Sequence, residues 1–333
     1  MRRLHTLEVW AESVMRGQRG GICASCFRMA MTPFSWVYGA AVKWRQVEGV
    51  KVSVPVISVG NVVCGGTGKT DVVTLLAKAL PGKVGILSRG YKGAARGPLL
   101  VHNESASVCG DEPRMLADRL PNALVVVGRD RVAGARLAIE KGATCLIMDD
   151  GMQHRRLARD FEIGVVDGSN PLGGNHFLPK GLLRDDPKRL QKADLVVVTG
   201  KKIDLSFQPP VVRLRAEIEG IFTLKGEKIE TLQGIAVALF CAIGNPSRFV
   251  KTVEGLGANV KEKLFLPDHA KVEERQLREL FVKSGAKYLV CTEKDRVKLR
   301  ESALPIVWIK RRLLVDENLV AWQTLLQSIG KKL

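Results

Sequence analysis

The chain has 333 residues, 46% of them hydrophobic and 26% charged, enough for a sizeable core and for one large or two ordinary domains. Glycine (33) and proline (14) are near average use, which excludes collagen-like, proline-rich and intrinsically unfolded classes. The 52 Lys and Arg against 34 Asp and Glu leave +18, so the partner is anionic: nucleic acid, an anionic membrane face or a phosphorylated substrate.

At the N-terminus, Cys23 and Cys26 form a C-x-x-C without a second pair or a nearby ligand histidine, so a metal or redox role is not supported. The seven cysteines, odd in number and scattered, read as reduced thiols of a cytosolic compartment. No apolar run reaches the ~18 residues needed to span a bilayer, and no secretory signal is evident. Between Arg28 and Lys43 the chain is uncharged and includes Met29, Phe34, Trp36, Val37 and Tyr38, with Arg16, Arg19, Arg28, Lys43 and Arg45 as basic flanks. Such a segment suits either an anionic lipid boundary or a helix packed on its own domain, with Pro33 near the helix start.

Residues 52–59 are β-branched and apolar, a glycine loop follows, and a helical pattern runs through Val72, Val73, Leu75, Leu76 and Leu80. Continuous apolar strands are expected at 84–87, 124–127, 145–148, 163–166 and 195–198, with helices at 112–120 and 131–141. Unbroken apolar strands separated by helices predict an α/β fold, a parallel sheet covered on both faces. A polar, proline-containing linker at 201–210 precedes a second series: a strand at 235–243, a Gly244-Asn245-Pro246-Ser247 turn, a helix, and strands at 288–291 and 306–309. Two α/β domains with a boundary near 205 are expected.

The glycine loop, Val63, Cys64, Gly65, Gly66, Thr67, Gly68, Lys69 and Thr70, carries the strongest chemistry. Backbone N–H groups at such a helix start cradle phosphate oxygens, the lysine reaches the β/γ-phosphates, and the threonine hydroxyl can ligate Mg²⁺. The nucleoside-triphosphate motif wants a glycine where Val63 stands, and Gly65 and Gly66 supply the flexibility instead. A P-loop also needs a carboxylate at a neighbouring strand end, and Asp149 and Asp150 close the apolar run 145–148. Phosphoryl transfer to an alcohol wants a base; Asp111, at a helix start, and His269, in the second domain, are the candidates, though each alone also fits capping or surface roles.

Taken together, Gly65-Gly66-Thr67-Gly68-Lys69-Thr70, Leu87-Ser88-Arg89-Gly90-Tyr91, Gly110-Asp111-Glu112-Pro113, Asp149-Asp150-Gly151-Met152-Gln153-His154-Arg155, the Asn175 to Arg184 stretch, Ile243-Gly244-Asn245-Pro246, Asp268-His269 and Thr292-Glu293-Lys294-Asp295 resemble, in order, the tetraacyldisaccharide 4'-kinase (lipid A 4'-kinase) family. The resemblance covers about residues 33–313. It implies ATP- and Mg²⁺-dependent phosphorylation of the 4'-hydroxyl of a tetraacylated glucosamine disaccharide 1-phosphate, at the cytoplasmic face of a bacterial inner membrane. It further implies Asp111 as catalytic base with His269 beside it, Asp149 and Asp150 with Thr70 for the metal, Arg184 for phosphate or substrate, and Arg89, Tyr91, His154 and Asn175 on the acceptor side. On this footing residues 1–48 are a basic, aromatic N-terminal segment at the membrane interface, 49–205 the P-loop kinase domain, and 206–333 a smaller α/β domain closing the cleft.

The chain departs from the family pattern at Val63, Asp71, Lys92 and Val272, none of them a reacting group, and the first 27 or so residues lie outside the resemblance. The alternative function is a P-loop GTPase or ATPase switch at the membrane surface, since Lys201-Lys202-Ile203-Asp204 resembles the guanine-reading N-K-x-D with Lys in place of Asn. A nucleic-acid partner is not expected, because aromatic content is 5% and no basic stripe interleaved with aromatics is present. No obligate protein partner is evident.

Overall fold

The expected apolar strands line up as neighbours in one sheet. The computed structural model describes residues 10–44, 48–203, 206–299 and 302–333. In chain order its elements are α1 (Ile22–Trp44), β1 (Val56–Gly60), α2 (Lys69–Ala79), β2 (Val84–Ser88), β3 (Leu99–Leu100), α3 (Ala106–Cys109), α4 (Asp111–Arg119), β4 (Leu124–Val127), α5 (Arg131–Glu140), β5 (Cys145–Asp149), β6 (Phe161–Asp167) and β7 (Leu195–Thr199). There follow β8 (Val211–Thr223), β9 (Lys228–Ile229), β10 (Ala236–Cys241), α6 (Pro246–Gly255), β11 (Asn259–Phe265), α7 (Glu274–Ser284), β12 (Tyr288–Thr292), α8 (Glu293–Arg296), β13 (Ile306–Glu317) and α9 (Leu319–Gly330). The sheet order is β11-β10-β12-β13-β8-β7-β6-β1-β5-β2-β4-β3, with β9 on β8.

In the first half β1 lies parallel between β5 and β6, and every residue of β1, β2, β5 and β7 is buried, as unbroken apolar runs require of a sheet covered on both faces. Val59 pairs with Asp149, so the glycine loop after β1 and the two acids after β5 leave the sheet side by side at its carboxyl edge. The second half repeats the layout with β10, β11 and β12 in parallel. Its carboxyl ends deliver His269, whose N–H donates to Ala242 at 3.3 Å, and α8, whose Asp295 accepts from the Ala242 N–H at 3.1 Å.

The two halves are joined by β8 and β13. The start of β8 pairs with β7, the start of β13 pairs with β12, and the two strands run antiparallel from Val307↔Thr223 to Glu317↔Arg213. The sequence reading stopped the last strand at 309 and placed no strand at 211–223. Chain connectivity crosses back as well, because α9 buries Trp322, Leu325 and Ile329 in the core built by Ile57, Val59, Leu76 and Ile147 of the first half.

The N-terminal helix differs from expectation in one respect: α1 starts at Ile22, and Pro33 lies inside it rather than near its start. A proline removes one backbone bond from a helix interior, and beside that gap the Thr32 hydroxyl donates to the Arg28 carbonyl at 2.8 Å. One face packs: Ala24, Ser35 and Gly39 are buried, and Ser35 Oγ donates to the Phe177 carbonyl at 2.8 Å. The opposite face presents Ile22, Met29, Phe34, Trp36, Val37 and Trp44 to solvent. No helix among the described residues is long and apolar enough to cross a membrane. Arg45, counted with the basic flank, and Asp204 lie outside the described residues.

Candidate active site

Two clusters of charge meet at the carboxyl edge of the first half. The first is built on the glycine loop. Gly68 has φ of +84°, a left-handed value that a glycine adopts without strain, and it turns the chain so that Lys69 opens α2. Lys69 Nζ donates to Asn61 Oδ1 at 3.0 Å and lies 3.3 Å from Asp150 Oδ1. Arg184 grips both oxygens of Asp150 and also reaches Asn61. Burial would push the Asp150 carboxyl up, but Lys69 and Arg184 overcome it and hold it well below the ordinary range. Asp149, 2% exposed, has no ion pair among the described residues: the Ser88 hydroxyl lies 3.5 Å away, and Lys69 and Arg131 act on it only at longer range. Burial pushes its carboxyl up to about 7, with Glu112 and Asp150 adding to the rise.

These two acids decide how a divalent cation fits. Asp150 is already neutralised by two cations, whereas Asp149 is a buried acid short of positive charge beside two other acids, the situation a bound cation relieves. The loop itself fits phosphate: the Thr67 hydroxyl and the Asn61 amide nitrogen are buried without a hydrogen-bond partner.

The second cluster centres on His269. Its Nδ1 lies 3.0 Å from Asp111 Oδ2, and Lys298 Nζ lies 3.5 Å from the same oxygen. Asp111 is the first residue of α4 and makes no side-chain cap; Gly110 holds the cap position. Burial would raise the Asp111 carboxyl, but the hydrogen bond from His269 and the charges of Lys298 and Lys294 keep it below the ordinary range. Tyr91 packs edge-on against the His269 ring at 5.3 Å between centroids. The end of β2 and the loop after it touch both clusters, since Ser88 lies 3.5 Å from Asp149 and Tyr91, three residues on, packs against His269.

The remaining expected residues are placed less uniformly. His154 is half-buried with Nε2 unpartnered, and burial together with Arg131, Arg159 and Arg156 pushes its ring down to about 4. Arg89 and Tyr91 are exposed on the loop after β2. Asn175 sits in an exposed turn at φ of +57° and takes no part in either network. Val63 needs no glycine's freedom: it is buried, and its backbone pairs with Leu183. Lys92 donates to the Asp268 carbonyl at 3.3 Å, and Val272 fills the core beside Leu277 and Leu280.

Several residues were not foreseen. Asn61, fully buried, ties Lys69 to Arg184. Arg131 is 5% exposed with Nε unpartnered, and burial pushes its guanidinium down to about 10 against the pull of Asp149 and Asp150. Its placement straight after an apolar strand, within Gly128-Arg129-Asp130-Arg131, was a readable sign, because a strand end at the carboxyl edge is where ligands bind. Lys294 had no readable sign beyond its motif, and Lys298, outside that motif, had none. The guanine-reading alternative has Lys201 in the place of Asn, and its Asp204 lies outside the described residues.

A profile of the family described as Tetraacyldisaccharide-1-P 4'-kinase matches residues 27–329. The tetraacyldisaccharide 4'-kinase of Chlamydia pneumoniae is 40% identical over 294 residues, 79% of this chain and 79% of its own. That of Syntrophotalea carbinolica is 36% identical over 307 residues, 83% of this chain and 84% of its own. Among solved structures, LpxK from Aquifex aeolicus in complex with ATP is similar with a TM-score of 0.77 and 29% identity, over 91% of this chain and 99% of that one. A profile spanning most of the chain, relatives 36% and 40% identical to it and a shared three-dimensional arrangement agree, and the chain belongs to the tetraacyldisaccharide-1-P 4'-kinase family.

Proposed function

We propose that this protein transfers the γ-phosphoryl group of ATP to the 4'-hydroxyl of tetraacyldisaccharide 1-phosphate at the cytoplasmic face of a bacterial inner membrane. The observation that carries the reading is the Asp111–His269 contact of 3.0 Å standing beside a P-loop lysine and its two acids. Residues 49–205 supply the nucleotide site, and 206–333 bring His269 to it across the cleft.

Lys69 and the loop amides hold and neutralise the phosphates, and most phosphoryl-transfer catalysis is such positioning and charge stabilisation. Mg²⁺, when bound, adds charge neutralisation of the phosphates; Asp149 and the Thr70 hydroxyl would hold it, with Asp150 alongside. Asp111 is ionised at neutral pH, one oxygen committed to His269 and Lys298, and the other receives the proton of the acceptor hydroxyl. Arg89, Tyr91, His154, Asn175 and Arg184 are assigned to the acceptor side. The exposed apolar face of α1, with the +18 charge, holds the protein at the anionic lipid surface where its acceptor resides.

The test is direct. Purified protein incubated with γ-labelled ATP, Mg²⁺ and tetraacyldisaccharide 1-phosphate in detergent yields a labelled bisphosphorylated lipid, and Lys69→Ala yields none while keeping its fold. Label transfer in Lys69→Ala, or turnover driven by guanine nucleotide without lipid, rejects the reading.

A further inference from the structure

The Asp111–His269 pair has a third member. Lys294 Nζ lies 3.1 Å from His269 Nε2, the ring nitrogen not used by Asp111. It is fixed there by Asp268 at 3.1 Å and Glu112 at 3.7 Å. Burial would lower this amine, but Glu112 and Asp268 outweigh it and raise Lys294 above the ordinary lysine range, so it is an ammonium. An ammonium carries three donors and no acceptor. Nε2 therefore presents its lone pair to Lys294, and the single ring proton sits on Nδ1, where Asp111 Oδ2 accepts it. Protonating Nε2 would set two cations and two donors against each other at 3.1 Å.

The backbone supports a built arrangement. His269 has φ of +62°, a left-handed value that costs a residue with a Cβ, and such strain is kept where surrounding contacts over-determine it. The charged and titratable groups around the ring are Asp111 and Glu112 from α4, Lys294 from α8, Lys298 beyond it, Asp268 from its own turn, and Tyr91 and Lys92 from the loop after β2.

We propose that Lys294 is a positioning residue that holds His269 as the neutral imidazole protonated on Nδ1. With Nε2 covered, His269 orients Asp111 and does not itself take the acceptor proton. The proposal rests on the reading of the pair as the base for the acceptor hydroxyl, and its test has a readout independent of that reading.

Protein labelled with ¹⁵N-histidine is examined by long-range ¹H–¹⁵N correlation at neutral pH, the His269 signals being assigned by their loss in His269→Gln. Wild type and Lys294→Arg show one protonated and one bare ring nitrogen, the proton on Nδ1. In Lys294→Met and Lys294→Gln the ring proton is no longer confined to Nδ1, and kcat/KM falls, whereas Lys294→Arg keeps both. A wild-type ring protonated on Nε2 overturns the proposal even if no variant folds, and so does an unchanged ring in a folded Lys294→Met. A ring that changes as expected while kcat/KM stays in place supports the hold of Lys294 on His269 and instead removes the base assignment from the pair.

Discussion

Arg119 donates to both carboxylate oxygens of Glu293, at 2.8 and 2.7 Å. A third bond, at 2.6 Å, reaches Asp71 in the first turn of α2. Burial would lower the guanidinium, yet Glu293 and Asp71 raise it above the ordinary arginine range. Asp71, one of the departures from the family pattern, forms one end of a charge bridge from α2 to α8, the helix that carries Lys294.

Removing Arg119 leaves Glu293, 6% exposed, as an uncompensated buried charge. Arg119→Met is therefore expected to cost about 3–5 kcal/mol of unfolding free energy, and the Arg119→Met/Glu293→Gln double variant is expected to recover part of it. Denaturant unfolding of the two single variants and the double measures the coupling. Strictly additive losses would mean that the pair does not act as one unit.

Asp149 and Asp150 adjoin in sequence and titrate in opposite directions. The Asp150 carboxyl is lowered, so its contribution to stability is present above the unfolded value and lost as pH falls. Asp149 is raised: between its unfolded value near 3.8 and about 7 the native state keeps a proton that the unfolded chain releases, and stability falls as pH rises through that window. In the absence of Mg²⁺, Asp149→Asn removes this slope, so wild type loses a few degrees of Tm relative to the variant across the window. Added Mg²⁺ stabilises wild type more above that window than within it, because the ionised carboxylate is the ligand. Parallel Tm curves for the two proteins would show that Asp149 does not titrate there.

The parts legible in the sequence were those decided by near neighbours. The runs at 84–87, 124–127 and 145–148 are strands of the sheet because a fully covered parallel strand needs nothing polar, and the glycine loop turns at Gly68 into the helix opened by Lys69 because its glycines and helix start are contiguous. The β8–β13 ribbon was not legible. Its strands interleave charge, as in Arg213, Arg215, Glu217 and Glu219, and the partners that satisfy that charge, Glu317, Arg312 and Lys310, lie about a hundred residues away. Arg119 was hidden for the same reason, since it bridges Asp71 of its own half to Glu293 of the other. Pro33 misled because a proline is a common helix opener, while the helix ahead of it is formed by residues with no motif at all.

The solvent face of α1 can be tested without removing the helix. Trp36 and Trp44 are 73% and 93% exposed, so replacing either with Glu disturbs no packing. If the face lies in lipid, each change forfeits the burial of a large apolar side chain, about 1.5–3 kcal/mol, and adds a charge repelled by anionic headgroups. Binding to anionic vesicles should fall roughly tenfold to a hundredfold by that estimate, with phosphoryl transfer in detergent and Tm held. Unchanged vesicle binding rejects the lipid contact. A lowered Tm would instead mark the face as packed on protein.

Asp111 and His269 stand 158 residues apart in sequence and 3.0 Å apart in space, which invites a double-mutant cycle. If the carboxylate takes the 4'-hydroxyl proton and the imidazole orients it, the two act as one unit, and residues acting as a unit lose activity non-additively. Asp111→Ala is expected to lower kcat by about 10²–10⁴, the range for a lost general base. His269→Ala should lower it less, because Lys298, 3.5 Å from the same oxygen, still holds the carboxylate in part. The double variant should lose little more than Asp111→Ala alone. ATP affinity should hardly move in any of the three, since the contacts of Lys69 involve Asn61 and Asp150 and neither member of the pair. Measuring kcat and ATP affinity for both single variants and the double decides the matter: multiplicative losses, or a main effect on nucleotide binding, would detach the pair from the acceptor hydroxyl and move the base assignment to Asp149, whose carboxyl, unlike that of Asp111, is raised to about 7.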